Sequence, residues 1–196
     1  MTRFAFGRSG RIFFSLASAL MITACGSSYN EHDVKDYRLA VDSNDDSIKD
    51  AFEKMISEFN SEVGLNALRF VNDPADANSQ IILTRGLNAR DGKVGWGQWI
   101  RTTESDSPVG SLLGETPDRT NVYSMRLEFD LEYVTARMDS SRADRYYEFR
   151  KLFYHEVGHG LQMDHDPNPQ ALMYYDISGT KDFNGYVKRV QQYLTN

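Results

Sequence analysis

Cysteine is almost absent from this chain: its 196 residues hold one, Cys25. A single thiol excludes an internal disulfide framework and any metal centre built from several thiolates. Long hydrophobic runs are also missing. The run from Ile12 to Ala24 has thirteen residues, short of the roughly 18–20 that a membrane-spanning helix needs. Positive charge is in deficit, with 22 Lys and Arg against 28 Asp and Glu and a net charge of −6. Such an acidic body is not drawn to nucleic acid or to an anionic membrane surface. No internal repeat is visible. Histidine is scarce too, four in all, yet three of the four fall within eleven residues.

The first residues carry a different signal. Arg3, Arg8 and Arg11 precede or open the apolar run, an arrangement that fits a signal-peptide core. The run ends in Ile22-Thr23-Ala24-Cys25-Gly26, which resembles a bacterial lipobox with Cys25 as the lipidated residue. The expected organisation is a signal peptide over 1–24, a lipidated polar tether over 25–36 and one domain over 37–196. His32 lies in that tether and reads as solvated. Removal of residues 1–24 leaves 172 residues, enough for a single core. It takes away three arginines and no acid, moving the charge from −6 to −9. Attachment to a membrane is then expected through the lipid rather than through charge. The expected location is a bacterial cell envelope, outside the cytoplasm. Where there are two membranes, Gly26 after the cysteine leaves the outer one open by lipoprotein sorting habits.

The dense run is His155-Glu156-Val157-Gly158-His159-Gly160-Leu161-Gln162-Met163-Asp164-His165. At 3.6 residues per turn, His155 and His159 project from one helical face, one turn apart. Two imidazoles, a third from beyond the helix end and one open position make a catalytic zinc shell. Zinc lowers the pKa of a coordinated water to about 7, and a carboxylate beside it, Glu156, can take the proton as that water attacks a carbonyl. The residues therefore point to one zinc per chain and a hydrolase. Glu156 is the expected general base and later proton donor to the leaving amine.

The spacing to His165 resembles the metzincin signature HExxHxxGxxH, and Ala171-Leu172-Met173-Tyr174 resembles the Met-turn of that clan, in wording closest to the matrixins. The resemblance implies a metzincin-like α+β catalytic domain: a twisted mixed sheet, an active-site helix and a small irregular C-terminal subdomain. It implies His155, His159 and His165 as zinc ligands, with Met173 as an apolar floor beneath the metal. Two departures stand out. Gln162 occupies the position of the family's turn glycine, so His165 is the ligand to check, with Asp164 or Asp166 as the nearest alternatives. Tyr175 stands two residues past Met173, where matrixins commonly have proline and astacin-like relatives a tyrosine. That tyrosine either touches zinc and steadies the oxyanion or packs on the lower subdomain. Asp166 is expected to orient ligands or anchor the loop. The specific part of the resemblance covers residues 155–175.

Elsewhere the pattern predicts a strand over Tyr37–Val41 and a helix with Ile48, Ala51, Phe52, Met55, Ile56 and Phe59 on one face, stopped by Gly64. The acidic residues 42–46 read as helix caps in preference to a calcium loop, since EF-hand spacing is lacking; calcium stays compatible but unsupported. Strands are predicted at Ala67–Val71, Gln80–Thr84, Val94–Ile100 and Met125–Tyr133, with a long loop over Arg101–Thr120. By resemblance, Val94–Ile100 supplies the edge strand on which an extended substrate pairs; alternatively Trp96 and Trp99 fill a core. A helix from about Ser141 runs into the histidines, with Tyr146, Phe149, Leu152, Phe153 and Val157 as its buried stripe, and Phe183–Leu194 closes the domain.

The expected activity is that of a zinc-dependent endopeptidase (a metalloprotease) acting on extended protein or peptide substrates as a lipid-anchored monomer. The alternatives are a cell-wall peptide hydrolase and an inactive zinc-binding lipoprotein. Animal matrixins carry a pro-segment cysteine on zinc. Here the one cysteine is assigned to lipid, so control is expected by location, tether or a separate inhibitor.

Overall fold

The computed structural model describes residues 30–105 and 118–195. The expected signal peptide 1–24, Cys25 and residues 106–117 of the expected loop lie outside them. Six strands form one sheet: β1 (Asn30–Val34), β2 (Tyr37–Asp42), β3 (Leu68–Phe70), β4 (Ser79–Thr84), β5 (Gly95–Ser105) and β6 (Asp118–Asp130). The helices are α1 (Asp46–Val63), α2 (Leu87–Asp91), α3 (Leu131–Thr135), α4 (Ala143–Gly160) and α5 (Phe183–Thr195).

β6 organises the sheet. On one side it pairs antiparallel with β5 along its whole length, Gly95 opposite Phe129 and Ser105 opposite Arg119. On the other side its first half pairs parallel with β1 and its second half parallel with β4. β4 pairs with β2, and β2 with β3, both parallel. The result is a mixed sheet in which β5 has no second strand partner among the described residues. Alternate residues of β6, Tyr123, Met125, Leu127 and Phe129, are buried while their neighbours are less so, which marks one covered face and one open face.

α1 and α4 lie on the covered face. Phe52 of α1 sits 5.5 Å from Phe129 of β6 and 5.3 Å from Phe149 of α4, and Phe129 stacks on Phe153 at 6.2 Å. Such aromatic pairs each contribute about 0.5–1.5 kcal/mol beyond the area they bury. They fix α4 against the sheet. α1 begins where Asp45 accepts hydrogen bonds from the Ser47 N–H and hydroxyl, which hold its carboxyl below the usual range. It ends at Gly64 in the left-handed conformation, φ 71°. Asp45 of the acidic stretch is thus the cap.

Three boundaries differ from the sequence reading. Residues 30–34, inside the expected tether, pair as a strand with β6. The expected loop over 101–120 is shortened from both ends, because β5 runs to Ser105 and β6 starts at Asp118. The strand expected to reach Tyr133 stops at Asp130, whose carboxylate accepts from the Tyr133 N–H and starts α3. Leu131 and Tyr133 continue an alternating pattern, but the cap at Asp130 overrides it.

Candidate metal centre and cleft

α4 brings His155, Glu156 and His159 to the sheet edge, and the chain turns directly after it. Leu161 caps the helix. The Gln162 N–H then bonds to His159 O at 3.1 Å and the Met163 N–H to Gly158 O at 2.9 Å, the pair of bonds that defines a Schellman ending. That motif places Gln162 in the left-handed region, φ 62°, the one non-glycine there among the described residues. This left-handed turn is made by glutamine. Its side chain is used as well: Gln162 Nε2 donates to the Tyr193 hydroxyl of α5 at 2.9 Å. Replacing Gln162 with glycine relieves a strain of about 1–2 kcal/mol and loses one exposed hydrogen bond, so a net gain near 1 kcal/mol is expected. In a metal-free thermal melt that is a rise of about 2–4 °C; a fall shows that the Tyr193 bond is worth more than the strain.

The turn brings His165 back to the helix. Its Nε2 lies 3.3 Å from His159 Nε2, which lies 3.2 Å from His155 Nε2, and the three ligand atoms fall within 4.8 Å of one another. Tetrahedral zinc with nitrogens at about 2.0–2.1 Å sets neighbouring nitrogens about 3.3 Å apart. The other ring nitrogens fix the tautomers. His155 Nδ1 donates to Leu172 O at 2.8 Å and His159 Nδ1 to Met163 O at 2.9 Å. A carbonyl can only accept, so each Nδ1 carries the hydrogen and each Nε2 presents a lone pair. Burial is the main reason that both rings favour the neutral form, His155 being pushed down to about 4. Two bare lone pairs facing each other at 3.2 Å repel unless a cation lies between them.

Glu156 points along the same cleft. It is 5 % exposed, and burial raises its carboxyl to about 8, an effect that Lys93 and a hydrogen bond from the Gly97 backbone oppose. A cation among the histidines opposes it further. The cleft, about 460 Å³, is lined by these residues together with Lys93, Trp96, Leu152, Tyr175, Asp176 and Ile177. A larger hollow of about 780 Å³ lies between α1 and β3, around Asn60, Leu65 and Arg69, and holds none of the histidines.

The remaining predicted residues fall as follows. Met173 is buried, its sulfur against α4: a Cβ added at Gly158 would stand 2.3 Å from Met173 Sδ. The glycine of the His-Glu-x-Gly-His run is what lets the methionine lie under the ligand helix. Asp166 does not reach a histidine. It accepts from the Asn168 N–H and pairs with Arg189 of α5 at 3.1 Å, so its part is to anchor the loop. Asp164 is exposed. Tyr175 is 70 % exposed on the cleft rim with its ring 4.2 Å from Tyr174, so it does not pack into the lower segment. Trp96 and Trp99 are 38 % and 43 % exposed and fill no core. Residues 161–182 form no helix or strand beyond one bridge, Ala171 to Asp182. His32 stands exposed in β1, away from the cluster.

The β5 glycines admit α4. A Cβ at Gly97 would stand 2.2 Å from the Glu156 backbone oxygen, and one at Gly95 2.7 Å from Glu156 Oε1. Two buried lysines, Lys151 and Lys181, were passed over in the sequence reading. The legible signal for the first was a lysine one turn before His155 in an apolar stripe.

No protein-family model matches the sequence, and no curated protein is similar to it. Among solved structures, the crystal structure of archaemetzincin from Methanopyrus kandleri is similar at 17 % identity, covering 89 % of this chain and 100 % of that one, with a TM-score of 0.37. A likeness that distant carries no argument about chemistry. The functional reading rests on the site.

Proposed function

We propose that the chain is a zinc-dependent endopeptidase of metzincin, matrixin-like type. The observation that carries this reading is the trio of imidazole nitrogens at 3.2 and 3.3 Å, two of them held as lone-pair donors by backbone carbonyls. His155, His159 and His165 would hold the metal. Zinc bound there supplies a Lewis acid that polarises a carbonyl and acidifies water. Glu156 Oε takes up a proton from the attacking water and passes it to the leaving amine. The edge of β5 that has no strand partner among the described residues supports backbone pairing of an extended peptide beside the cleft. Tyr175, on the cleft rim beside Tyr174, would be the group that reaches an oxyanion. Lipidation at Cys25 would keep the enzyme at the outer face of a bacterial membrane, within reach of protein substrates and acting as a monomer.

The test uses protein lacking residues 1–25. One zinc per chain is expected by metal analysis, with cleavage of a broad peptide library that chelation abolishes and added zinc restores. His165→Ala is expected to weaken zinc binding by about 10²-fold or more, as loss of one of three ligands should, since outer-sphere changes alone cost 10–100-fold. Unchanged affinity removes His165 from the ligand set. Stoichiometric zinc with no cleavage of any peptide sinks the endopeptidase.

A further inference from the structure

Lys151, His155 and His159 stand four residues apart on α4 and share one helical face. Each donates to a backbone carbonyl of the irregular segment that follows the helix. Lys151 Nζ bonds to Gly179 O at 2.7 Å, His155 Nδ1 to Leu172 O at 2.8 Å and His159 Nδ1 to Met163 O at 2.9 Å. The ladder that orients the metal ligands thus has a third rung, which is a lysine.

Lys181 completes the set. Its Nζ donates to Pro169 O at 2.7 Å and Asp176 O at 2.6 Å, and it lies 5.1 Å from the Tyr174 ring centroid. Both lysines are buried, Lys151 completely. Lys151 keeps one carboxylate partner, Glu148 Oε1 at 2.9 Å. Burying an ammonium is costly unless its donors are filled. Here two are buried, and the backbone carbonyls they donate to belong to one short segment. That segment carries Tyr175, Asp176 and Ile177, the cleft wall beside the histidines.

We propose that Lys151 and Lys181 are positioning residues for this wall, holding it at a fixed distance from the histidines so that it selects the substrate side chain next to the scissile bond. The inference rests on the endopeptidase reading above. Ammonium groups here do for backbone carbonyls what a calcium ion does in an oxygen cage.

The experiment compares Lys151→Met, Lys181→Met and Lys181→Arg in zinc-loaded protein lacking residues 1–25. Amide hydrogen exchange and cleavage of peptide pairs differing in one side chain are measured. In the methionine variants protection of residues 174–181 is expected to fall about tenfold or more, while that of 155–159 holds and zinc stays at one per chain. Discrimination between the best and worst side chains, as a ratio of kcat/KM values, is expected to shrink about tenfold. Lys181→Arg, which keeps charge and donors, restores most of the discrimination. Unchanged protection of 174–181, or unchanged discrimination at full zinc content, overturns the proposal. If Lys181→Met does not fold, Lys181→Gln is read in the same way. If the wild type cleaves no peptide, the endopeptidase reading falls on its own, and exchange still decides whether the lysines hold the wall.

Discussion

Glu156→Gln is expected to lower kcat/KM for peptide cleavage by about 10²–10⁴-fold, the range of a positioned acid–base group, while zinc stays at one per chain. The amide keeps the carboxylate's shape, so its packing against Leu152 and Gly95 is retained. What it loses is a lone pair basic enough to take a proton. Steady-state kinetics with paired metal analysis check this. Activity within threefold of wild type would mean that another group moves the proton, and the cleft offers Lys93, Tyr175 and Asp176 for that.

Gly97→Ala is expected to destabilise the fold by about 3 kcal/mol, a fall of roughly 6–12 °C in melting temperature for a chain of this length. The added methyl would meet the Glu156 carbonyl oxygen at 2.2 Å and its carbonyl carbon at 3.0 Å. Both are backbone, held in α4, and neither can rotate away. Relief comes only by parting β5 from α4, which moves the ligand helix, so zinc affinity should fall with stability. Gly158→Ala is a milder case, since the obstacle is the flexible end of Met173. Thermal melts with and without zinc separate the two effects. A Gly97→Ala protein that melts with wild type would show that helix and strand are not in the tight contact described.

The α1 face from Ile48 to Phe59, its Gly64 stop and the α4 stripe were all legible, because apolar period and capping chemistry are local properties. β6 stops short of its expected end at Tyr133, because an alternating pattern cannot register that Asp130 caps a helix. β1 was hidden for another reason. Asn30 to Val34 is polar, and only its pairing with β6, some 88 residues away in sequence, makes it a strand.

The sequence by itself put forward the candidate chemistry. His155, Glu156 and His159 fall together by helical pitch, His165 by its resemblance to the metzincin signature, and Cys25 as the one cysteine excludes an internal disulfide. Tertiary structure decided what holds that chemistry in place. Gln162 takes the left-handed turn because two end-of-helix hydrogen bonds and Tyr193 stabilise it. Asp166 turns to Arg189 rather than to a histidine. Gly95 and Gly97 serve the helix, and Lys151 and Lys181 collect the carbonyls of a segment with no regular structure. Spacing along a helix is set by covalent geometry and can be read from a string. Which carbonyl a buried donor finds depends on where a distant, irregular segment comes to rest, and only packing fixes that.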